Sequence, residues 1–243
     1  MTAQLNLTWA SWLYETTWED HDKFKQDLLD LIHEDAKTLA TPVDSGVAVN
    51  VKKNMYEPEL NFFEKHYNDP RLDSLMSFLD VEIKKTYTAL CNSQAMRSWV
   101  KDVNVYFKDS WYHITQDRGY HDTHYHGNAS FCGIYYLEVG NCDVSDHNGV
   151  NRFFSPMHPA TEDKDVGYSW WPSDFRDVTP VNGKLVLFPG YLLHNATPYQ
   201  GDTDRIVIAF NCQIHRNGDT GMSLPSVFAN LPILLEEQGN TSI

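Results

Sequence analysis

From Trp18 to Thr38 the apolar residues Phe24, Leu28, Leu29, Leu31 and Ile32 fall on one side of a 3.6-residue period, which predicts an amphipathic helix. Thr16 and Glu19 stand ahead of it at capping-box spacing and set its expected start. Val47, Val49 and Val51 then alternate, as a short strand does. Asp69-Pro70 opens a second helix, with Asp as the cap and Pro in the first turn. Leu72, Leu75, Met76, Leu79, Ile83, Tyr87 and Leu90 follow at helical spacing, so this helix runs to about Cys91. From Trp99 the period changes to two: Val103, Val105 and Phe107 alternate with Asp102, Asn104 and Tyr106. Further strands are predicted at Phe131 to Val139, Asn151 to Ser155, Lys184 to Phe188 and Arg205 to His215, separated by segments rich in Gly, Asn, Asp and Pro.

Two helices followed by several short strands give an α+β chain, most simply an antiparallel barrel or jelly roll backed by the N-terminal helices. The 243 residues suit one domain: a mainly helical support (1–98), a jelly-roll core (99–215) and a C-terminal tail (216–243). The stretch from Pro156 to Pro180 has no clear period and carries Trp170-Trp171-Pro172. Long irregular loops in compact domains are often functional, so it is a candidate lid.

Composition narrows the partners. Nineteen basic residues against 33 acidic ones leave a net charge of -14, which repels phosphate backbones and anionic lipid. Neither nucleic acid nor membrane is expected as a partner. A small anion remains admissible, because one buried Arg can capture it locally. No run approaches the roughly 18 apolar residues that span a bilayer. Met1 to Trp12 has no basic n-region and no long apolar stretch, so no signal peptide is expected there. Cys91, Cys132, Cys142 and Cys212 form no C-x-x-C pair and read as reduced thiols of a cytoplasmic protein, with Cys132 and Cys212 as small core residues. Homo-oligomerisation is not legible.

Chemistry concentrates in two windows. His121, His124 and His126 lie in Tyr120-His121-Asp122-Thr123-His124-Tyr125-His126, and His113 stands just upstream. An H-x-H pair on extended backbone puts both imidazoles on one face, where they can fill two neighbouring sites of one metal. His194 qualifies as the third ligand, since it follows the buried-looking run Leu185 to Phe188 and a Pro-Gly break. Imidazole suits iron, zinc, copper and nickel alike, and three facial ligands leave positions open for chemistry. An isolated H-x-H on a surface loop usually binds nothing. Arg205 adds weight: it opens the apolar strand Arg205-Ile206-Val207-Ile208-Ala209-Phe210-Asn211, so it is partly buried and requires an anion. Its planar fork fits a carboxylate, either a ligand's or that of one of the 33 acidic residues.

The ordered blocks His124-Tyr125-His126-Gly127, Cys132-Gly133-Ile134-Tyr135-Tyr136, Leu187-Phe188-Pro189-Gly190-Tyr191-Leu192-Leu193-His194 and Arg205 to Asn211 resemble the 2-oxoglutarate/iron(II) oxygenase superfamily. They are most similar to a group of oxygenases common in marine bacteria and their phages. The resemblance spans about Val103 to His215. It implies a double-stranded β-helix of the cupin-like jelly-roll kind, Fe(II) as cofactor and 2-oxoglutarate as cosubstrate. It implies His124, His126 and His194 as metal ligands and Arg205 as the partner of the far carboxylate of 2-oxoglutarate. Tyr136 matches a position that hydrogen-bonds the same carboxylate, and His121 one that faces the cosubstrate. The implied reaction is hydroxylation of a small-molecule or peptidyl substrate by dioxygen, with release of succinate and carbon dioxide.

Two departures stand out. The common motif has a carboxylate where this chain has His126, so three neutral imidazoles leave the iron one charge more positive. Asp122, two residues before His124, offers an alternative set of His124, Asp122 and His194. Val207 stands where the family often has Ser, which removes one hydrogen bond to the cosubstrate. Rival readings are a three-His cupin-type dioxygenase that does not use 2-oxoglutarate, a non-catalytic jelly-roll binding module, and a zinc hydrolase.

Overall fold

The runs at Phe131 and Arg205 carry almost no polar alternation, as expected of strands covered on both faces. The computed structural model describes residues 11–38, 54–93, 100–156 and 174–217. In chain order the elements are β1 (Tyr14–Thr17), α1 (His21–Thr38), β2 (Met55–Tyr56), α2 (Phe62–Lys65), α3 (Pro70–Ser93), β3 (Val103–Thr115), β4 (His121–His124), β5 (Phe131–Glu138), β6 (Asn151–Phe154), β7 (Phe175–Asp177), β8 (Lys184–Pro189), β9 (His194–Ala196) and β10 (Arg205–Arg216). All named pairings are antiparallel. The larger sheet has the order β1-β8-β5-β10-β3-β2, and the smaller one β4-β9-β6-β7. This is the jelly roll expected from the sequence.

Period two divides the central strands between two cores. Cys132, Ile134 and Tyr136 of β5, Val186 and Phe188 of β8, and Val207 of β10 cluster with Phe153 of the smaller sheet. Their neighbours Phe131, Tyr135, Leu137, Leu185, Leu187, Ile206, Ile208 and Phe210 cluster instead with Leu28, Leu31 and Ile32 of α1 and with Leu72, Leu75, Leu79 and Ile83 of α3. The helices therefore brace the outer face of the larger sheet, while its inner face is left for the site. Cys132 and Cys212 are buried core residues, as expected.

The first helix starts three residues later than predicted. Thr16 belongs to β1, paired with Leu185, and the Trp18 N–H donates to the Gly183 carbonyl at 2.9 Å. Strand pairing has taken the residues that a capping box would have used. The second helix starts as predicted, and the Asp69 carboxylate accepts the Arg71 backbone N–H at 3.0 Å. The Val47 to Val51 strand lies outside the described residues. So does most of the candidate lid, including Trp170 and Trp171. The end of that aperiodic stretch is β7, an edge strand of three residues, too short to show a period. Asp177 of β7 holds Arg152 of β6 through Nε at 2.7 Å and Nη2 at 2.8 Å.

One buried carboxylate ties the helices to the strand that carries part of the site. Asp35 of α1 accepts the Tyr112 hydroxyl of β3 at 2.9 Å, His66 Nε2 at 2.9 Å and the Lys65 ammonium. Burial pushes its pKa up, but these three donors outweigh burial and hold it below the usual carboxylate value. A depressed carboxylate stabilises the fold above its unfolded value of about 3.9 and loses that contribution as pH falls through the folded value. Asp35→Asn is expected to cost about 3 kcal/mol at neutral pH, by the logic of breaking a buried ionic contact. Urea unfolding at pH 7 and again near pH 3 tests this: the gap between wild type and variant narrows at the acidic end.

Gly133 is fixed by packing. A Cβ there would lie 2.1 Å from Cζ of Phe210, its cross-strand partner on β10. That ring is itself confined by Phe107, with centroids 5.3 Å apart, and by Phe63 at 6.1 Å. Gly133→Ala is expected to cost about 2 kcal/mol through overpacking, read as a lower urea midpoint.

Candidate active site

Pairing of β4 with β9 brings the two histidine windows together. His124 and His194 are register partners on neighbouring strands, so their side chains share a face and their ring centroids lie 4.3 Å apart. His126 is two residues further on, and even spacing keeps it on the face of His124, with centroids 5.0 Å apart. Its backbone N–H donates to the Gly190 carbonyl at 2.8 Å. A Cβ at Gly190 would lie 2.6 Å from the His126 carbonyl oxygen, so only glycine admits this close approach. His121 is three residues before His124 and would face away on a regular strand. The register shifts between them, and the two rings end 4.3 Å apart.

The tethers of the rings decide which nitrogens are offered. His124 Nδ1 lies 2.7 Å from the Asp122 carbonyl, and His194 Nδ1 2.9 Å from the Leu192 carbonyl. A carbonyl only accepts, so each Nδ1 carries the proton and each Nε2 presents a lone pair. His126 is held differently: the Asn211 side-chain N–H donates toward its Nδ1 at 3.4 Å, so no carbonyl fixes the proton of this ring on Nδ1. One ligand atom from each of His124, His126 and His194 falls within 4.8 Å of the others. Burial pushes the pKa of His194 down to about 3 and that of His124 down to about 4, with neighbouring imidazoles acting in the same direction, and burial lowers that of His126. All three rings are thus neutral at neutral pH, the state in which imidazole binds a metal. Asp122 is exposed and contributes its backbone carbonyl here, not its carboxylate, so among the described residues the cluster contains His126 and not Asp122.

Arg205 lies in the same pocket, 1% exposed. Its Nη2 donates to Asn151 Oδ1 at 2.7 Å, and the Tyr136 hydroxyl donates to that same oxygen at 2.7 Å. The guanidinium carbon stands 5.6 Å from the centroid of the Tyr136 ring. Arg205 Nε is buried with no hydrogen-bond partner, and among the described residues no carboxylate pairs with this side chain. A buried guanidinium with an orphaned donor is a demand for an anion. The pocket therefore fits both groups that the resemblance implies: imidazole nitrogens for a cation, and a guanidinium without a carboxylate partner among the described residues for an anion. Val207, 2% exposed, lines the wall between and offers no hydrogen bond there.

Sequence reasoning missed several of these residues. Asn151 carries no motif; only its polar side chain at the head of an alternating strand hints at it. Asn211, whose amide N–H also donates to Asp109 at 3.1 Å, reads from sequence as the end of a strand. Glu57 comes from the segment after β2, far from either histidine window, and Trp111 lies on β3 beside His113, just upstream of the first window.

Residues 109–211 match the family model described as "Putative 2OG-Fe(II) oxygenase". No curated protein matches the chain in sequence. Among solved structures the chain is similar to a prolyl hydroxylase from Trichoplax adhaerens in complex with a hypoxia inducible factor oxygen degradation domain peptide fragment, at 12% identity over 82% of each chain with a TM-score of 0.50. That likeness is one of fold. A Pseudomonas putida prolyl-4-hydroxylase is similar at 13% identity, over 83% of this chain and 92% of that one, with a TM-score of 0.48. HygX from Streptomyces hygroscopicus, with nickel, 2-oxoglutarate and hygromycin B bound, is similar at 10% identity over 85% and 83%, with a TM-score of 0.46. The matched segment contains every block on which the sequence resemblance rests, so in this segment the chain is similar to the 2-oxoglutarate/iron(II) oxygenases.

Proposed function

We propose that this chain is a 2-oxoglutarate/iron(II) oxygenase that hydroxylates a small-molecule or peptidyl substrate, with His124, His126 and His194 holding Fe(II) and Arg205 holding the far carboxylate of 2-oxoglutarate. The observation that carries the reading is the pairing of two unmet demands in one pocket. Imidazole nitrogens converge in a pocket that is also lined by Arg205, a buried guanidinium with an orphaned Nε. A ligand with a metal-chelating head and a carboxylate tail meets both.

Fe(II) held there would supply activation of dioxygen at the expense of 2-oxoglutarate, one oxygen atom ending in succinate as carbon dioxide leaves and the other converting a substrate C–H into C–OH. The chain's own residues bind and orient. The Asp122 and Leu192 carbonyls fix the tautomers of His124 and His194, so that neither imidazole has to reorganise to ligate. Asn151 holds the Arg205 guanidinium in place and occupies the Tyr136 hydroxyl. In this arrangement Tyr136 reaches the cosubstrate only if its hydroxyl leaves Asn151; otherwise it supports Arg205 by its ring. His121 lines the same pocket. Phe188 and Phe153 pack on His194, with ring centroids 4.6 and 5.6 Å away, and exclude water from its buried side.

The test is cosubstrate turnover. 2-Oxoglutarate labelled at C1 is incubated with the Fe(II)-loaded chain and oxygen, with a panel of free amino acids, short peptides and aminoglycoside-like metabolites as substrates. Release of labelled carbon dioxide that depends on iron, and rises with one class of substrate, supports the reading. Oxygen consumption with no succinate from any of them contradicts it.

A further inference from the structure

A second set of potential ligands lies against the first. Glu57, His113 and His121 offer one ligand atom each, all within 4.8 Å of one another. They come from three separate places: the segment after β2, the C-terminal end of β3 and the start of β4. Glu57 Oε2 lies 2.5 Å from His113 Nε2 and 3.6 Å from His121 Nε2.

Hydrogen bonding alone does not satisfy this set. His121 Nδ1 is turned to the Asp122 carbonyl at 3.1 Å and carries a proton there, which leaves Nε2 facing the Glu57 carboxylate and, in the neutral ring, free to ligate. His113 Nε2 faces the indole N–H of Trp111 at 3.0 Å, a group that only donates, and also the Glu57 carboxylate, which only accepts. No single protonation of that nitrogen suits both neighbours. A cation among the three atoms meets the carboxylate and both lone pairs together, displacing the indole N–H.

We propose that Glu57, His113 and His121 bind a divalent transition-metal ion, at a site separate from the three-histidine set and sharing a wall with it. Two imidazoles and a carboxylate are the donor composition of non-haem iron sites, and they accept Mn(II) and Zn(II) as well. The carboxylate supplies the negative charge that the three-histidine set lacks. The sites adjoin, because the His121 ring lies 4.3 Å from that of His124. The Glu57 side chain is 26% exposed, which gives a hydrated ion a way in. This site does not depend on the role proposed for His124, His126 and His194.

The experiment counts metal. The full chain is stripped with chelator and equilibrated anaerobically with Mn(II). Bound metal is measured by elemental analysis and its magnetic environment by electron paramagnetic resonance. Wild type is expected to bind two equivalents, with the broadened spectrum of neighbouring ions. Glu57→Gln and, separately, His121→Asn bind one equivalent and give a mononuclear spectrum. His126→Ala loses the other equivalent and keeps this one. Circular dichroism of each metal-free variant confirms folding, and the second variant carries the test if the first does not fold. A single equivalent in wild type that survives Glu57→Gln and His121→Asn overturns the proposal and leaves the cluster sharing a proton. Two equivalents that survive both substitutions overturn it as well. A single equivalent lost in Glu57→Gln but kept in His126→Ala upholds this site and overturns the three-histidine one.

Discussion

His194→Ala is expected to abolish the Fe(II) binding proposed for the three-histidine set and, with it, succinate formation, while leaving the jelly roll folded. The imidazole is 3% exposed, its Nδ1 is fixed by the Leu192 carbonyl, and its strand partner is His124. Nothing else on β9 can replace it, because Asn195 points to the other face and Ala196 has no donor. Losing only a ligand's hydrogen-bond partner costs about 10–100-fold in metal affinity, so loss of the ligand itself is expected to exceed about a hundredfold. The substitution also removes the ring from between Phe153 and Phe188, which lowers stability by about 1–3 kcal/mol. Calorimetric titration with Fe(II) under anaerobic conditions, alongside urea unfolding of the metal-free chain, separates the two effects. Full metal affinity in a folded His194→Ala chain would sink the ligand assignment.

The second large effect concerns Arg205. Arg205→Met is expected to weaken 2-oxoglutarate binding by about 3 kcal/mol, roughly two orders of magnitude in Kd, since it strips the charged partner from a desolvated carboxylate. The metal-free, cosubstrate-free variant is expected to be at least as stable as wild type. Arg205 has an orphaned Nε and no carboxylate partner among the described residues, so in that state it is an uncompensated buried charge, and methionine of similar length removes the cost. The sign of the stability change discriminates. A structural ion pair predicts marked destabilisation, whereas a ligand-binding arginine predicts neutrality or gain. Titration with 2-oxoglutarate and unfolding of the apo chain read both quantities on one preparation.

What the sequence revealed follows from how local each signal is. The inner and outer faces of β5, β8 and β10 are written in uninterrupted apolar runs, and the strands fall where those runs do. Helix α3 is announced by Asp69-Pro70 and by seven apolar residues at helical spacing. The start of α1 was misread because Thr16 and Glu19 satisfy a local pattern, while the decisive contact of Thr16, pairing with Leu185, is 169 positions away. The three histidines were legible from even spacing and from a break before His194. Their meeting is a matter of β4–β9 register, which no short window holds. Glu57, Asn151 and Asn211 were not legible at all. Each is one polar residue in an ordinary segment, and only tertiary structure brings it to the pocket. No helix among the described residues is long and apolar enough to cross a membrane.

If one pocket holds Fe(II) on His124, His126 and His194 and 2-oxoglutarate on Arg205, the two ligands bind in contact with each other. The most direct measurement is an anaerobic titration of the metal-free chain with Fe(II) and then 2-oxoglutarate, following the visible metal-to-ligand charge-transfer absorption, with His126→Ala and Arg205→Met alongside. The account predicts a band that appears only when both components are present, that is lost in His126→Ala, and that requires roughly a hundredfold more 2-oxoglutarate in Arg205→Met. An Fe(II)-loaded wild type that develops no band at saturating 2-oxoglutarate, or a band of full strength and affinity in both variants, contradicts it.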